Sequence, residues 1–481
     1  MADDPHTAPE VPHVSAPAPT SHSGIPRGRM ALLFTVVLVS AAGNTAMQSV
    51  MPSIGTALGV ADVWISLAYS WSALLWVGFA PFWARRSDRR GRKAMMALGL
   101  AGFVASMGLC GAVLWIGLSG WLTPLLTLLL FALCRSLYGL LGSAAPPAVQ
   151  AYVASRTPRE ERTKALSLIS SSFGLGTVIG PALAPLLIFP LLGLTGPFFA
   201  FAIIGILAII ALRLRLPNDE PQYATHAVAF DAPYGGSGAG RHASDGEFEK
   251  AEADAQAAAE RAAERPAPRP GQQLTAEAAS APTLAWSDPR IRPWLLSGLL
   301  GGHAQAMMLG IAGFLVLDRL GLRDDPTAGA GPVSIVLMMG AAATLLAQWG
   351  LIPVMHMGPR VSVLSGMVLG VIGAAIFGTA DELHGIALGF AIAALGFGLF
   401  RPGFTAGASL SVSRPEQGQV SGKVASINGA SYIYAPALGV WLYGHSDWIG
   451  FAAIIGFCVA VMAIGWTRLD SDEALMARAE D

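Results

Sequence analysis

Residues Ala84 to Lys93 read A-R-R-S-D-R-R-G-R-K, and the fold turns on how that stretch is taken. Six cations (Arg85, Arg86, Arg89, Arg90, Arg92 and Lys93) and one acid, Asp88, stand between two long apolar runs. Carrying so many charges through hydrocarbon is costly. A loop this basic therefore stays on the cytoplasmic face of a bilayer and orients the helices on either side of it. Gly91 has no side chain and permits a tight reversal between those two helices.

The rest of the composition agrees with a membrane setting. Of 481 residues, 53% are hydrophobic and only 13% charged, and the mean hydropathy is +0.54. Such values belong to polytopic membrane proteins rather than soluble ones. A net charge of −1 gives no bulk attraction to nucleic acid. Cys110, Cys134 and Cys458 each fall inside apolar runs and form neither a disulfide framework nor a metal pattern. The sequence has no phosphate loop, metal-ligand cluster or nucleophile–base pair, so no cofactor, metal or enzymatic activity is expected.

A bilayer span needs about 20 mostly apolar residues. Twelve such runs occur, at 30–55, 64–84, 94–117, 121–152, 164–190, 196–216, 293–318, 332–356, 360–380, 384–411, 420–444 and 448–467. Lipid leaves every backbone polar group to be satisfied within its own segment, so each run is expected to be a helix. Cations cluster in alternate loops, which places both termini in the cytoplasm and the chain in the inner membrane. Residues 1–29 read as a disordered cytoplasmic tail and 469–481 as a second cytoplasmic tail. Residues 217–287 form a polar cytoplasmic linker between a bundle at 30–216 and another at 288–468. Pro147 and Pro402 are 255 residues apart, as are Glu161 and Glu416, and Pro181 and Pro436. One offset kept across two spans and the loop between them indicates duplicated halves. The expected fold is all-α: twelve transmembrane helices in two pseudo-symmetric six-helix bundles.

Polar side chains at membrane depth are the functional candidates. Arg135 lies mid-span in the fourth run and Arg401 well inside the tenth. Arg401 could hold an anionic part of a substrate or pair with backbone carbonyls. His303, in the seventh run, is the natural intramembrane group to change charge near neutral pH. Asn44 and Gln48 in the first run, with Gln305 in the seventh, could line a cavity or bond helix to helix. Asp318 ends the seventh run, whereas the first, fourth and fifth hold no acid. That pattern suits a neutral or anionic cargo better than a cationic one.

The order S-D-R-R-G-R-K at residues 87–93 resembles motif A of the major facilitator superfamily, although Ala84 stands at its leading glycine and Arg86 at a leucine position. Arg135 matches the arginine of that family's motif B. The run S-S-F-G-L-G-T-V-I-G-P at 171–181, with Gly176, Gly180 and Pro181, is similar to motif C, with Ala184 where a last glycine is usual. Pro436 and Gly439 echo it in the eleventh run. The resemblance implies a major facilitator fold of the twelve-span drug:proton antiporter kind, working in the lipid bilayer on a small molecule by alternating access. It makes Asp88, Arg89, Gly91, Arg92 and Lys93 parts of an inner gate, links Arg135 to proton transfer, and leaves His303 and Asp318 as further proton-coupling candidates. Efflux of a drug or metabolite is the leading expectation. Import of an organic anion is the alternative within the fold, and a sensor or scaffold acting through the central linker is the alternative outside transport.

Overall fold

The computed structural model describes residues 25–157, 159–217, 284–413 and 416–475, leaving aside the side chains of residues 84, 85, 87–90, 159–164, 417 and 418. The first 24 residues and most of the expected linker lie outside the described residues. Among the described residues, twelve long helices follow one another. The first six are α1 (Arg27–Ala57), α2 (Asp62–Arg90), α3 (Arg92–Leu118), α4 (Pro124–Arg156), α5 (Arg159–Leu183) and α6 (Gly196–Arg215). The second six are α7 (Arg292–Arg319), α8 (Pro326–Val354), α9 (Pro359–Thr379), α10 (Leu383–Leu410), α11 (Gln417–His445) and α12 (Asp447–Thr467). All but α11 are long and apolar enough to cross a membrane. Helix α11 has the length, 29 residues, but Gln417, Gln419, Lys423 and Asn428 dilute its apolar character. It is enclosed by α2, α7, α10 and α12 rather than by lipid alone.

Two expectations need correction. The basic stretch is not a loop: α2 continues through Arg90 and α3 starts at Arg92. Gly91 alone breaks the two helices, at φ +89°, a conformation that glycine adopts without strain. Helix α8 starts at Pro326 rather than near residue 332. The reason is local, since Asp325 accepts a hydrogen bond from the Ala328 amide at 3.1 Å and Pro326 presets the first turn. The C-terminal segment, as far as residue 475, is docked on the second half. Helix α9 opens on Gly358-Pro359 with no side-chain cap of its own, and the Asp472 carboxylate accepts from the amides of Arg360 (2.7 Å) and Val361 (3.2 Å). Leu475 is fully buried behind it.

Prolines set the irregular points. Pro146 and Pro147 lack the N–H that a helix needs and crowd the preceding turn, and α4 passes through a 3₁₀ turn at Gly142–Ala144 just before them. Pro353 has the same effect on α8, which widens to a π turn over Leu346–Leu351.

Each half has its own core. Trp294, Phe377, Phe397, Phe400 and Phe404 fill the second, while Phe103, Phe131, Phe198 and Phe201 fill the first. The halves meet where α2 packs on α11, α5 on α8, and α1 on both α7 and α8. Exchange of the halves turns α2–α11 into α8–α5, so the seam carries the duplication seen in the sequence. At the end of the bundle away from Gly91, the first core runs on into Phe314, Ala330 and Val440 of the second half, which seals that end with apolar contact.

Candidate functional site

Between the halves lies a cavity of about 840 Å³, part of it open to solvent. Its apolar wall includes Met308, Leu337, Phe390 and Phe397, and its polar groups are the hydroxyls of Thr45, Thr177, Thr344 and Tyr432 with the amides of Gln48, Gln305 and Gln348. A second chamber of about 610 Å³ shares Gln48, Leu309, Leu337 and Tyr432 with it and adds Tyr69 and Ser66. No charged residue lines either chamber among the described residues. Pro181 lines the first chamber and Pro436 the second, so the two prolines of the repeat sit at matching places on the hollow.

Of the residues expected to face a cavity, Gln48 and Gln305 do so. Asn44 instead accepts a hydrogen bond from the Arg135 guanidinium. Arg135 is fully buried inside the first half, over the ring of Tyr138 at 4.2 Å, and does not line the cavity. His303 also points elsewhere. Its Nδ1 lies 2.6 Å from the Leu299 carbonyl and its Nε2 2.5 Å from the Tyr434 hydroxyl. A carbonyl can only accept, so Nδ1 carries the proton, and Nε2 is free to accept from Tyr434 in the neutral ring. Arg401 is 3% exposed and stands over Tyr432, 5.9 Å from the ring centroid. Its three nitrogens meet no carbonyl or carboxylate among the described residues, and the side chain they interact with is that of Tyr432. The carbonyl pairing weighed from sequence is therefore not what holds it.

Gly176 and Gly180 are contact points between helices. A methyl at Gly180 would lie 2.2 Å from the Ala42 carbonyl oxygen, and Thr45 donates to the Gly176 carbonyl at 3.2 Å. A methyl at Gly439 would lie 2.8 Å from Met307, and one at Gly310 2.6 Å from the Pro436 carbonyl oxygen, where α11 meets α7. Of the expected gate, Arg92 bonds Ser155 on α4, and Lys93 donates to the carbonyls of Arg213 (3.0 Å) and Leu216 after α6. These bonds tie α3 to its own half. The side chains of Asp88 and Arg89 lie outside the described residues.

Among the described residues, the ion pair between the halves is at the other end, and the sequence reading did not single it out. Arg323, in the loop before α8, reaches Asp62 at 2.7 and 2.9 Å and Thr56 at 3.1 Å, all in the first half. It also binds Asp318 at 2.6 and 3.1 Å, and Tyr443 donates to that carboxylate at 3.0 Å. Burial works against charge on Arg323, but the hydrogen bonds it donates to Asp62 and Asp318 outweigh it and raise its pKa above the ordinary arginine value. The available signal was Arg323 lying five residues after Asp318 in a chain poor in buried acids; its partner Asp62 was invisible at that distance in sequence.

Residues 33–379 match the family profile described as Major Facilitator Superfamily. The chain belongs to that superfamily. Among curated relatives of this superfamily member, the multidrug resistance protein MdtG of Proteus mirabilis is 30% identical over 38% of the chain and 44% of its own length. Multidrug resistance protein 3 of Bacillus subtilis is 28% identical over 31% of the chain and 27% of its own length. The chain thus aligns with less than half the length of these relatives. In fold it is similar to a bacterial homolog of the human lysosomal transporter Spinster in an inward-facing, unoccupied conformation, with TM-score 0.63 and 12% identity over 93% of this chain and 97% of that one. It is also similar to the human organic anion transporter MFSD10, with TM-score 0.54 and 16% identity over 92% of this chain and all of that one. The protein is a multi-pass membrane protein of a transporter family, not an enzyme.

Proposed function

We propose that this chain is a secondary transporter of the inner membrane that expels a neutral or anionic amphiphile in exchange for protons. The observation that carries the reading is the hollow on the seam, apolar with amide and hydroxyl groups and without a carboxylate among its lining residues. Such a surface suits apolar bodies with few fixed polar contacts. A carboxylate-free wall gives a drug cation no counter-charge. Relatives named for multidrug resistance and the motif C resemblance favour export. In this reading the basic end faces the cytoplasm, with Asp88 and Arg89 closing the hollow there and the Arg323 cluster closing the other side in turn. Arg135 and Asp318 stand as proton-coupling candidates, Asp318 within the closing cluster itself, whereas His303 is held away from the hollow by Leu299 and Tyr434.

Import of an organic anion is the second reading, favoured by Arg401 beside the cavity wall. Everted membrane vesicles separate the two. Under an imposed proton gradient, acid inside, a panel of labelled neutral and anionic amphiphiles is expected to accumulate inside, and an uncoupler is expected to abolish the accumulation. Movement only out of such vesicles would assign import, and no movement of any compound would defeat both.

A further inference from the structure

Helix α10 lays Phe390, Ala394 and Phe397 on the cavity wall. Their spacing is that of one helical face, and the next position on that face is Arg401. Helical Cα–Cβ bonds tilt toward the helix N-terminus, which on α10 means from Arg401 back toward Phe397 and the hollow. The guanidinium ends against the ring of Tyr432, a residue that lines both chambers. It is 3% exposed, and its Nε, Nη1 and Nη2 meet no carboxylate or carbonyl among the described residues, the Tyr432 side chain being what they face. Arg135 makes the contrast: equally deep, it is bonded to Asn44 and stacked on Tyr138.

A buried guanidinium without an anion is destabilising, and its planar fork of five donors matches an oxyanion in two parallel bonds. Among the described residues, no carboxylate lines the hollow to compete for it. We propose that Arg401 anchors the acidic head of the transported molecule, which makes the cargo a monoanionic amphiphile, an organic carboxylate or sulfonate on an apolar body. The proposal rests on the transporter reading above. It requires the Tyr432 ring to move aside as the head group arrives, a side-chain rearrangement of the size that ligands commonly bring about.

The test uses full-length purified protein and a pair of near-equal shape, naphthalene-2-sulfonate and the neutral naphthalene-2-sulfonamide, with binding followed by calorimetry. The wild type is expected to prefer the anion by about 10- to 100-fold, the range of a charge-assisted hydrogen bond. Arg401→Gln loses that preference and binds the sulfonamide unchanged, and Arg401→Lys keeps part of it because a point charge lacks the fork. Without ligand, Arg401→Gln melts at or above the wild-type temperature, since the charge it removes has no anionic partner among the described residues; a structural arginine would lower it. Equal affinity for the two compounds in the wild type, binding of neither, anion preference surviving in Arg401→Gln, or a lowered melting point in both variants would overturn the anchor. Proteoliposomes keep the two readings apart. If the anion binds through Arg401 but neither compound moves under a proton gradient, the transporter reading falls and the anchor stands. If the neutral compound moves in Arg401→Gln and no charge preference exists in the wild type, the reverse holds.

Discussion

His303 and Arg401 are both polar side chains buried in the second half, and their surroundings set them on different courses. The imidazole has both nitrogens occupied by Leu299 and Tyr434, and Phe457 lies 6.1 Å from its ring, so its contacts run toward α11 and α12 and away from the hollow. Both nitrogens are engaged within the second half, so the ring makes no contact with the hollow through which a coupled proton would have to pass. His303→Gln is therefore expected to leave the pH profile of transport where it is in the wild type. Tyr434→Phe, which deletes the partner hydroxyl, should lower stability by about 1 kcal/mol. A flattened pH profile in His303→Gln would return the histidine to the coupling machinery. Depth in the membrane could be counted from the sequence, and it marked Arg135, His303 and Arg401 as worth attention. Which way each side chain faces depends on neighbours 91 to 131 positions away, and no local pattern carries that. Tyr432 and Gln348 went unremarked for the same reason: an aromatic or an amide in a span is ordinary until the opposite helix is known.

At the scale of elements, the helices were legible because lipid removes the choice. Twenty apolar residues in hydrocarbon have to close their own hydrogen bonds, and nearly every expected run lies within a few residues of an observed helix. The misses came where polar side chains decide the boundary: the cap at Asp325, the carboxylate of Asp472 lent to α9, and the extension of α2 through charged residues that prefer helix to reversal. The glycines of α5 were legible as packing sites, but their partner was not. That partner is α1, whose Ala42 carbonyl and Thr45 hydroxyl each stand 2.2 Å from where a Gly180 methyl would be. Backbone cannot yield as a flexible side chain can, so Gly180→Ala should force α1 and α5 apart, lowering stability by about 1–3 kcal/mol and transport with it. Gly108→Ala is the matched control on α3, where a methyl meets nothing within 4 Å. It should be neutral or raise stability by up to about 1 kcal/mol through helix propensity. Thermal unfolding of the two purified variants compares them directly, and equal melting points would remove the close approach as the reason for glycine.

For the whole molecule, the question is which end of the hollow is shut and by what. Sequence placed the charged clamp at the basic end, where six cations crowd together. The ion pair across the halves that the described residues contain is at the opposite end, where Arg323 joins Asp62 of the first half to Asp318 of the second. It sits above the apolar seam of Ile54, Ile65, Phe314 and Ala330, so the end is closed first by dry packing and then by charge. Opening there must break the network while leaving each half intact, which makes it a lever on the equilibrium between states rather than on folding. Arg323 is 30% exposed and Asp62 23%, so solvent weakens the pair; loss of either partner is worth about 1–2 kcal/mol, a shift of about 5- to 30-fold in population. The cation itself does not titrate in use. Its raised pKa means that its contribution is complete below the ordinary arginine value and is lost only at still higher pH. Asp62→Asn and Arg323→Gln should therefore open that end at neutral pH. The reporter is Ser53→Cys, a fully buried position on α1 beside Gly329 of α8, in a background with Cys110, Cys134 and Cys458 replaced. A membrane-impermeant thiol reagent should label it about 5- to 30-fold faster in either lock variant than in the parent, and no faster in the double variant than in the faster single one, since the two residues act through one bond. Labelling at the parent rate in both single variants would leave the apolar seam as the whole of the closure and reduce the Arg323 cluster to surface charge.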